Sequence, residues 1–212
     1  MPLWLRISAM LALVGAAAET RAQTVGANTM VLASAHQPLG SPLIGGEIFV
    51  RTRRGDSSFA LIIGGASMRG HADRFGIPCA GLIPPTADCA ARPLRDDGRV
   101  AAGSIGAALP VIRARRIRLS VIGDLTLAQF HVETRPKAGG DALIADKVLI
   151  GAYFGGAAAW YPWAHRPVAI ETSIAIGAFA PVLREEVLDG YAPFESGLGA
   201  RRIGLGLSWR VR

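Results

Sequence analysis

Few residues of this chain combine the types and the spacing that catalysis requires. Histidine occurs at four widely separated positions, His36, His71, His131 and His165. Of these, His131 would share one face of an extended strand with Glu133. A hydroxyl from Thr134 or Ser196 nearby would complete the acid, base and nucleophile set of a hydrolase. Since neither an HExxH sequence nor a phosphate-binding glycine loop occurs, we expect no catalytic residue, cofactor or metal, with a hydrolase as the alternative.

The two cysteines, Cys79 and Cys89, are separated by nine residues that include Pro84 and Pro85. Even with His71 they supply too few ligands, at the wrong spacing, for a metal site. In an exported protein a disulfide between them is chemically allowed. Closing a loop of about ten residues would contribute roughly 2.5–3 kcal/mol to stability in the chain-entropy treatment. We therefore expect a Cys79–Cys89 disulfide.

Composition excludes several classes of protein. Half of the 212 residues are hydrophobic and 18% are charged, whereas a disordered chain has few apolar residues and many charges. The formal net charge of +7 would suit a nucleic-acid-binding protein. However, the excess is arginine, since Lys137 and Lys147 are the only lysines, and no basic helix or aromatic stacking motif accompanies it. Nucleic acid is therefore not an expected partner.

The first 22 residues are organised like a secretory signal. A short positive segment (1–6) precedes an apolar stretch (7–18, ISAMLALVGAAA), and residues 20–22 (TRA) place small side chains where a signal peptidase reads. The apolar stretch is shorter than a helix that spans a bilayer. We expect cleavage after Ala22, so that residues 23–212 form one exported domain, with an uncleaved N-terminal anchor as the alternative.

From Gln23 onward apolar residues alternate with polar or small ones, as in β-strands. The pattern predicts eight strands, near 24–34, 43–53, 58–69, 98–111, 116–131, 145–162, 167–181 and 198–211. Short turns and long loops alternate between them, with the long loops at 35–42, 70–97, 132–144 and 182–197. This alternation is typical of an all-β, eight-stranded antiparallel up-and-down barrel with short turns at one rim and long loops at the other.

The faces of these strands favour a transmembrane barrel over a soluble one. Both faces of the strand at 145–162 are apolar or small, so neither suits water. Lipid on one side and a narrow, filled lumen on the other suit both faces. Asp124 and Glu171 lie within the neighbouring apolar segments. They argue against a helical membrane protein, because a charge at the bilayer centre of a helix costs about 2.5–3.5 kcal/mol. A soluble periplasmic carrier of the lipocalin type is the alternative.

Aromatic residues cluster where the short turns are expected, at Trp160, Tyr161, Trp163 and Trp209. Tryptophan and tyrosine concentrate where a membrane meets water. The cluster therefore predicts an interfacial girdle at the short-turn, periplasmic rim.

Charged residues of both signs are predicted on the inward face, at Glu47, Arg51, Arg99, Arg118, Asp124, Lys147, Glu171, Arg202 and Arg210. Buried charges need partners, since removing one member of a pair costs about 3–5 kcal/mol. We expect a salt-bridge network that plugs a polar lumen. Because bases outnumber acids, a narrow pore with a weak preference for anions is the alternative, although eight strands leave little open space.

The strand count and the final strand, IGLGLSWRV at 203–211, resemble the small eight-stranded outer-membrane barrels of Gram-negative-type bacteria, the OmpA-, OmpX- and OmpW-like group. That strand is similar to the C-terminal signal read by the barrel-assembly machinery. It departs from the signal by ending in Trp209-Arg210-Val211-Arg212 rather than in an aromatic residue.

This resemblance implies the cell outer membrane as the location. It also implies outer-membrane lipid, lipopolysaccharide and the assembly machinery as partners. The expected role is structural or in surface recognition, with loops 70–97 and 182–197 facing outward. Some barrels of this kind modify lipid A with a His, Ser and acid set at the outer rim, which is how the hydrolase alternative would act.

Overall fold

Eight antiparallel strands form a closed barrel in the computed structural model of this chain. The structure describes residues 22–34, 42–53, 59–76, 92–140, 142–163, 166–182 and 198–211. The strands are β1 (Ala22–Ser34), β2 (Leu43–Arg53), β3 (Ala60–Gly76), β4 (Arg92–Arg113), β5 (Ile117–Pro136), β6 (Leu143–Trp160), β7 (Val168–Pro181) and β8 (Leu198–Val211). Each strand pairs with the next and β8 pairs with β1, which confirms the predicted fold class. Within the described residues, no helix has the length and apolarity needed to cross a membrane.

The register of the strands sets the width of the barrel. Following the paired residues from Thr24 once around the barrel leads to Ser34, so one circuit staggers the strands by ten residues. For strands about 4.8 Å apart with a rise of about 3.3 Å per residue, this stagger gives a tilt of about 40° and a backbone radius of about 8 Å. A cylinder this narrow can be filled by side chains.

A band of apolar side chains covers the outside of the barrel. On β5 it runs from Ile117 to Leu127, a step that corresponds to about 25 Å along the barrel axis at this rise and tilt. Apolar residues on three other strands, Ile105, Phe154 and Leu205, are each more than half exposed. The height of the band equals that of the lipid-facing band of outer-membrane barrels, about 25 Å.

Beyond this band three strands continue as a sheet, at the end opposite the short turns. Here β3, β4 and β5 extend to residues 76, 92 and 136, past the ends predicted at 69, 98 and 131. The prediction was wrong because it followed apolar alternation, which stops where the outward side chains become charged. His71, Asp97 and Glu133 are cross-strand neighbours in this region. The backbone ladder continues although the apolar signal does not.

The connection between β5 and β6 is a tight turn, and the long loop predicted for 132–144 is wrong. Gly139 and Gly140 have φ angles of 92° and 123°, a conformation that L side chains rarely adopt. The Gly139 N–H donates to the Pro136 carbonyl at 3.2 Å. The other outer connections, within 35–41, 77–91 and 183–197, lie outside the described residues.

The core of the protein lies in the outer half of the lumen. Apolar side chains there form one buried cluster: Met30, Leu32, Leu43, Met68, Val100, Ala128, Phe130, Val132, Leu149, Tyr153, Ala175, Phe179 and Ala200. The sequence predicted a polar lumen, but the structure shows that the lumen is not polar throughout. Its outer half holds an apolar plug. Arg51, Asp124, Glu171 and Arg202 lie between this plug and the short-turn rim, whereas the buried Asp96 accepts a hydrogen bond from Thr134 at the outer end.

Candidate functional site

An ionic cluster near the short-turn rim joins opposite walls of the lumen. Arg51 on β2 donates from its two Nη atoms to the two carboxylate oxygens of Glu171 on β7, at 3.2 and 3.1 Å. The Ser208 hydroxyl donates to the same carboxylate at 2.6 Å. The side chains of Arg51 and Glu171 are only 12% and 6% exposed. Since β2 and β7 are not neighbours, this pair crosses the lumen.

A second cluster lies closer to the apolar plug. Arg202 on β8 donates to both oxygens of Asp124 on β5, and each side chain is 10% exposed. The Arg202 guanidinium carbon lies 4.5 Å from the centre of the Tyr153 ring. In addition, the Asn28 amide donates to Glu47 at 3.2 Å. Asp124, Glu171 and Glu47 thus each accept a hydrogen bond, as buried carboxylates require.

Aromatic rings close the lumen beyond these charges. The Phe179 ring meets Phe130 and Tyr153 edge-to-face, with centroids 5.4 and 5.5 Å apart. It also lies flat against Gly151, where a Cβ atom would be 2.4 Å from a ring carbon. Position 151 therefore has to be glycine for the ring to take this place.

Towards the short turns, the lumen opens into a cavity of about 850 Å³. Six arginines and three aromatic residues contribute to its wall: Arg113, Arg115, Arg116, Arg118, Arg166, Arg210, Tyr161, Trp163 and Trp209. The Tyr161 ring lies between two of the guanidinium groups, 5.8 Å from that of Arg118 and 5.6 Å from that of Arg210. No acidic side chain is among the described residues that line this cavity.

The residues predicted for the aromatic girdle divide between two surfaces. Trp160, Trp163 and Trp209 are 49%, 50% and 56% exposed at the short-turn rim. Tyr161 lies at the same rim, with its ring against the two arginines at the mouth of the lumen. Its contact with two cations explains this position, because a phenol ring is a favourable partner for a guanidinium group.

The remaining predicted lumen charges are placed as follows. Arg118 and Arg210 line the cavity, and Lys147 is half-buried near the outer end of β6. Arg99 is exposed, and its predicted inward orientation was wrong. It is an even number of residues from the lipid-facing Ile105 on the same strand, so both side chains point outward. Arg99 lies beyond the apolar band, where water can solvate it.

The residues of the hydrolase alternative are not assembled in the described part of the chain. His131 Nδ1 lies 2.8 Å from an oxygen of Asp146, while Glu133 pairs with a neighbouring arginine. Thr134 is buried on the opposite face of β5 from His131. Ser196 lies outside the described residues. The described chain therefore holds a His–Asp pair without a hydroxyl nucleophile beside it.

The predicted disulfide, Cys79–Cys89, also lies outside the described residues. Within the described ranges, no group of three or more His, Cys, Asp or Glu side chains is placed to hold a metal ion.

Comparison with solved structures gives the fold a context. No protein-family model and no curated protein matches the chain. A major outer-membrane protein of Thermus thermophilus is similar in structure, with a TM-score of 0.58 at 10% identity over 90% of this chain and 100% of that one. Ail, the attachment invasion locus protein of Yersinia pestis, has a TM-score of 0.50 at 11% identity over 90% and 97%. The chain has the fold of a small outer-membrane β-barrel. This agrees with the resemblance of its sequence to that group.

Proposed function

We propose that the protein is a non-enzymatic barrel of the cell outer membrane with a closed lumen, whose role is structural or in surface recognition. The apolar band of about 25 Å supports the membrane location, because so much exposed apolar surface is stable in lipid and not in water. Tryptophans at one edge of the band and charges at the other bound it on both sides. Outer-membrane lipid, lipopolysaccharide and the assembly machinery are the partners that this location would supply.

The closed lumen is the observation that carries the proposal. Two cavities inside the barrel have volumes of about 20 and 30 Å³, each close to the space that one water molecule takes in the liquid, about 30 Å³. Phe179 contributes to the wall of the first cavity and Arg51 to the wall of the second, which shares Arg113 and Arg118 with the cavity at the short-turn rim. The small size of these cavities supports a lumen without a path for a hydrated ion and argues against the narrow pore. The filled lumen likewise argues against a lipocalin-like carrier, since a carried ligand needs an open cavity.

The sheet that extends beyond the band is the proposed recognition surface. Its outward side chains form ion pairs in solvent, with Lys137 Nζ 2.7 Å from Asp73 and Arg95 Nε 3.5 Å from Asp97. Binding residues concentrate on segments that a rigid scaffold holds out into solvent. Together with the loops at 77–91 and 183–197, this sheet would meet molecules outside the cell. Ail carries attachment in its name, and an attachment role of this general kind suits the extension.

Two measurements on one preparation test the proposal. After fractionation of expressing cells, we expect the protein in the outer-membrane pellet, with a gel mobility that changes on heating. In planar bilayers containing concentrated KCl, the same heat-modifiable protein should show no discrete conductance steps. Recovery in the soluble periplasm would rule out the membrane location, whereas steady channels formed by folded protein would rule out the closed lumen.

A further inference from the structure

The arginine-lined cavity at the short-turn rim has no role in closing the barrel. Its volume of about 850 Å³ exceeds that of the two small lumen cavities many times over. It would hold roughly thirty water molecules at 30 Å³ each, which is ample for a hydrated polar headgroup. Its walls come from the turn between β4 and β5, the turn between β6 and β7, and the end of β8. These segments are distant in sequence and meet because the barrel closes.

Within the described part of the chain, no carboxylate offsets the charge of this cavity. None of its six arginines forms a salt bridge with another described residue, in contrast to Arg51 and Arg202 deeper in the lumen. Arg118 and Arg210 contact the Tyr161 ring instead of a carboxylate. Aromatic contacts hold guanidinium groups in position while leaving their N–H donors available. Planar guanidinium groups with available donors match the oxygens of a phosphate group, and they form charge-assisted hydrogen bonds with it.

The cavity also has an apolar side. Ile117, Trp209 and Val211 contribute to its lining, and each is about half exposed, at 46%, 56% and 45%. All three point outward, whereas Arg118 and Arg210 point towards the lumen. A ligand that fills the cavity therefore meets cations on one side and the lipid-facing surface of the barrel on the other. An amphiphile with an anionic head meets both requirements, and a free anion uses only the first.

From this arrangement we infer that the cavity binds the phosphodiester headgroup of an anionic phospholipid from the periplasmic leaflet. The arginines would hold the phosphate at the mouth of the lumen, and the acyl chains would lie along the outside of β8, beside Trp209 and Val211. The inference rests on the membrane orientation given under the proposed function, with the short turns on the periplasmic side. The cavity would bind a phosphate group with two free oxygens. Phosphate compounds in solution carry the same group, so the test has to distinguish them from the lipid.

The test uses the full-length folded protein in nanodiscs of phosphatidylcholine with and without phosphatidylglycerol. Native mass spectrometry counts retained phosphatidylglycerol, and titration gives its Kd. The cavity variant carries Arg118→Gln and Arg210→Gln. The matched control, Arg69→Gln with Arg99→Gln, removes the same charge from exposed positions at the other end of the barrel. We expect the cavity variant to raise the Kd at least about tenfold, as the loss of charge-assisted hydrogen bonds implies, and the control to keep it within about twofold.

Each outcome of this test either supports or overturns the assignment of a phospholipid to the cavity. An unchanged Kd in the cavity variant, or an equal loss in the control, overturns the inference, because the binding would then follow net charge and not the cavity. Inorganic pyrophosphate serves as the competing free anion; if it binds while phosphatidylglycerol does not, the lipid assignment is wrong. A second pair, Arg115→Gln with Arg116→Gln in the exposed turn, replaces the first if that variant fails to fold. Heat-modifiable mobility is measured throughout, so that failed insertion counts against the proposed function and failed binding in a folded barrel counts against this inference alone.

Discussion

Removing the Glu171 carboxylate should destabilise the barrel more than removing the whole ion pair that it forms. In Glu171→Ala, the Arg51 guanidinium, 12% exposed, loses the acceptor of both its Nη atoms, and the Ser208 hydroxyl loses its acceptor at 2.6 Å. A buried charge left without its partner costs about 3–5 kcal/mol. A cavity of about 30 Å³ adjoins Arg51 and can admit about one water molecule. We therefore expect a loss near the lower end, about 3 kcal/mol.

The double variant Arg51→Met with Glu171→Leu is the informative comparison. Both charges are gone, and apolar side chains of similar size replace them, a change that is often neutral or mildly stabilising in buried pairs. We expect it to be more stable than Glu171→Ala by about 3 kcal/mol, because the double variant no longer leaves the Arg51 charge buried without its partner.

The assay is urea unfolding from neutral lipid vesicles, followed by the fluorescence of the tryptophans at the short-turn rim. Linear extrapolation gives the free energy of unfolding, and an unchanged m-value shows that the unfolding reaction is the same in each variant. The reasoning fails if Glu171→Ala stays within about 0.5 kcal/mol of the wild type. It fails equally if the double variant is no more stable than Glu171→Ala.

Three further outcomes follow from the structure. Gly151→Ala should lower stability by about 1–3 kcal/mol, because the added Cβ would overlap the Phe179 ring. The control Gly103→Ala should have little effect, because a Cβ there meets nothing within 4 Å. Equal urea midpoints for the two variants would contradict the packing described. The hydrogen bond from Lys137 holds the pKa of Asp73 below that of an ordinary aspartate. The contribution of this pair to stability is therefore present above the usual pKa and is lost as the pH falls through the lowered one. Lys137→Ala should raise the pKa of Asp73 in a carbon-13 NMR titration, and an unmoved midpoint would exclude the pair. Trp209 should be quenched by lipids brominated near the headgroup more than by lipids brominated at the chain ends, and the reverse order would place the short-turn rim away from the interface.

Local sequence was sufficient for the strands within the membrane band. The alternation from Ile117 to Leu127 follows from the two-residue period of an extended chain, which each strand obeys on its own. The same criterion failed beyond the band, where the ladder of β3, β4 and β5 continues under charged side chains. There the strands are held by backbone pairing with neighbours, for which the period of apolar residues carries no information. Arg99 was misplaced for a different reason. Its even spacing from Ile105 on the same strand already put its side chain on the outward face, so the sequence was sufficient to place it.

The partners of the inward charges could not be read from the sequence. Arg51 and Glu171 are 120 residues apart, and which acid faces which base depends on the ten-residue stagger of the closed barrel. In sequence, the six arginines of the cavity lie at unrelated turns and at a strand end: Arg113, Arg115, Arg116, Arg118, Arg166 and Arg210. They become one cavity because barrel closure places those segments at the same rim. Amino-acid sequence alone thus determined the strands and their lipid-facing sides, which depend on near neighbours. The closed lumen and the arginine cavity depend on register around the whole barrel, and only the tertiary structure decided them.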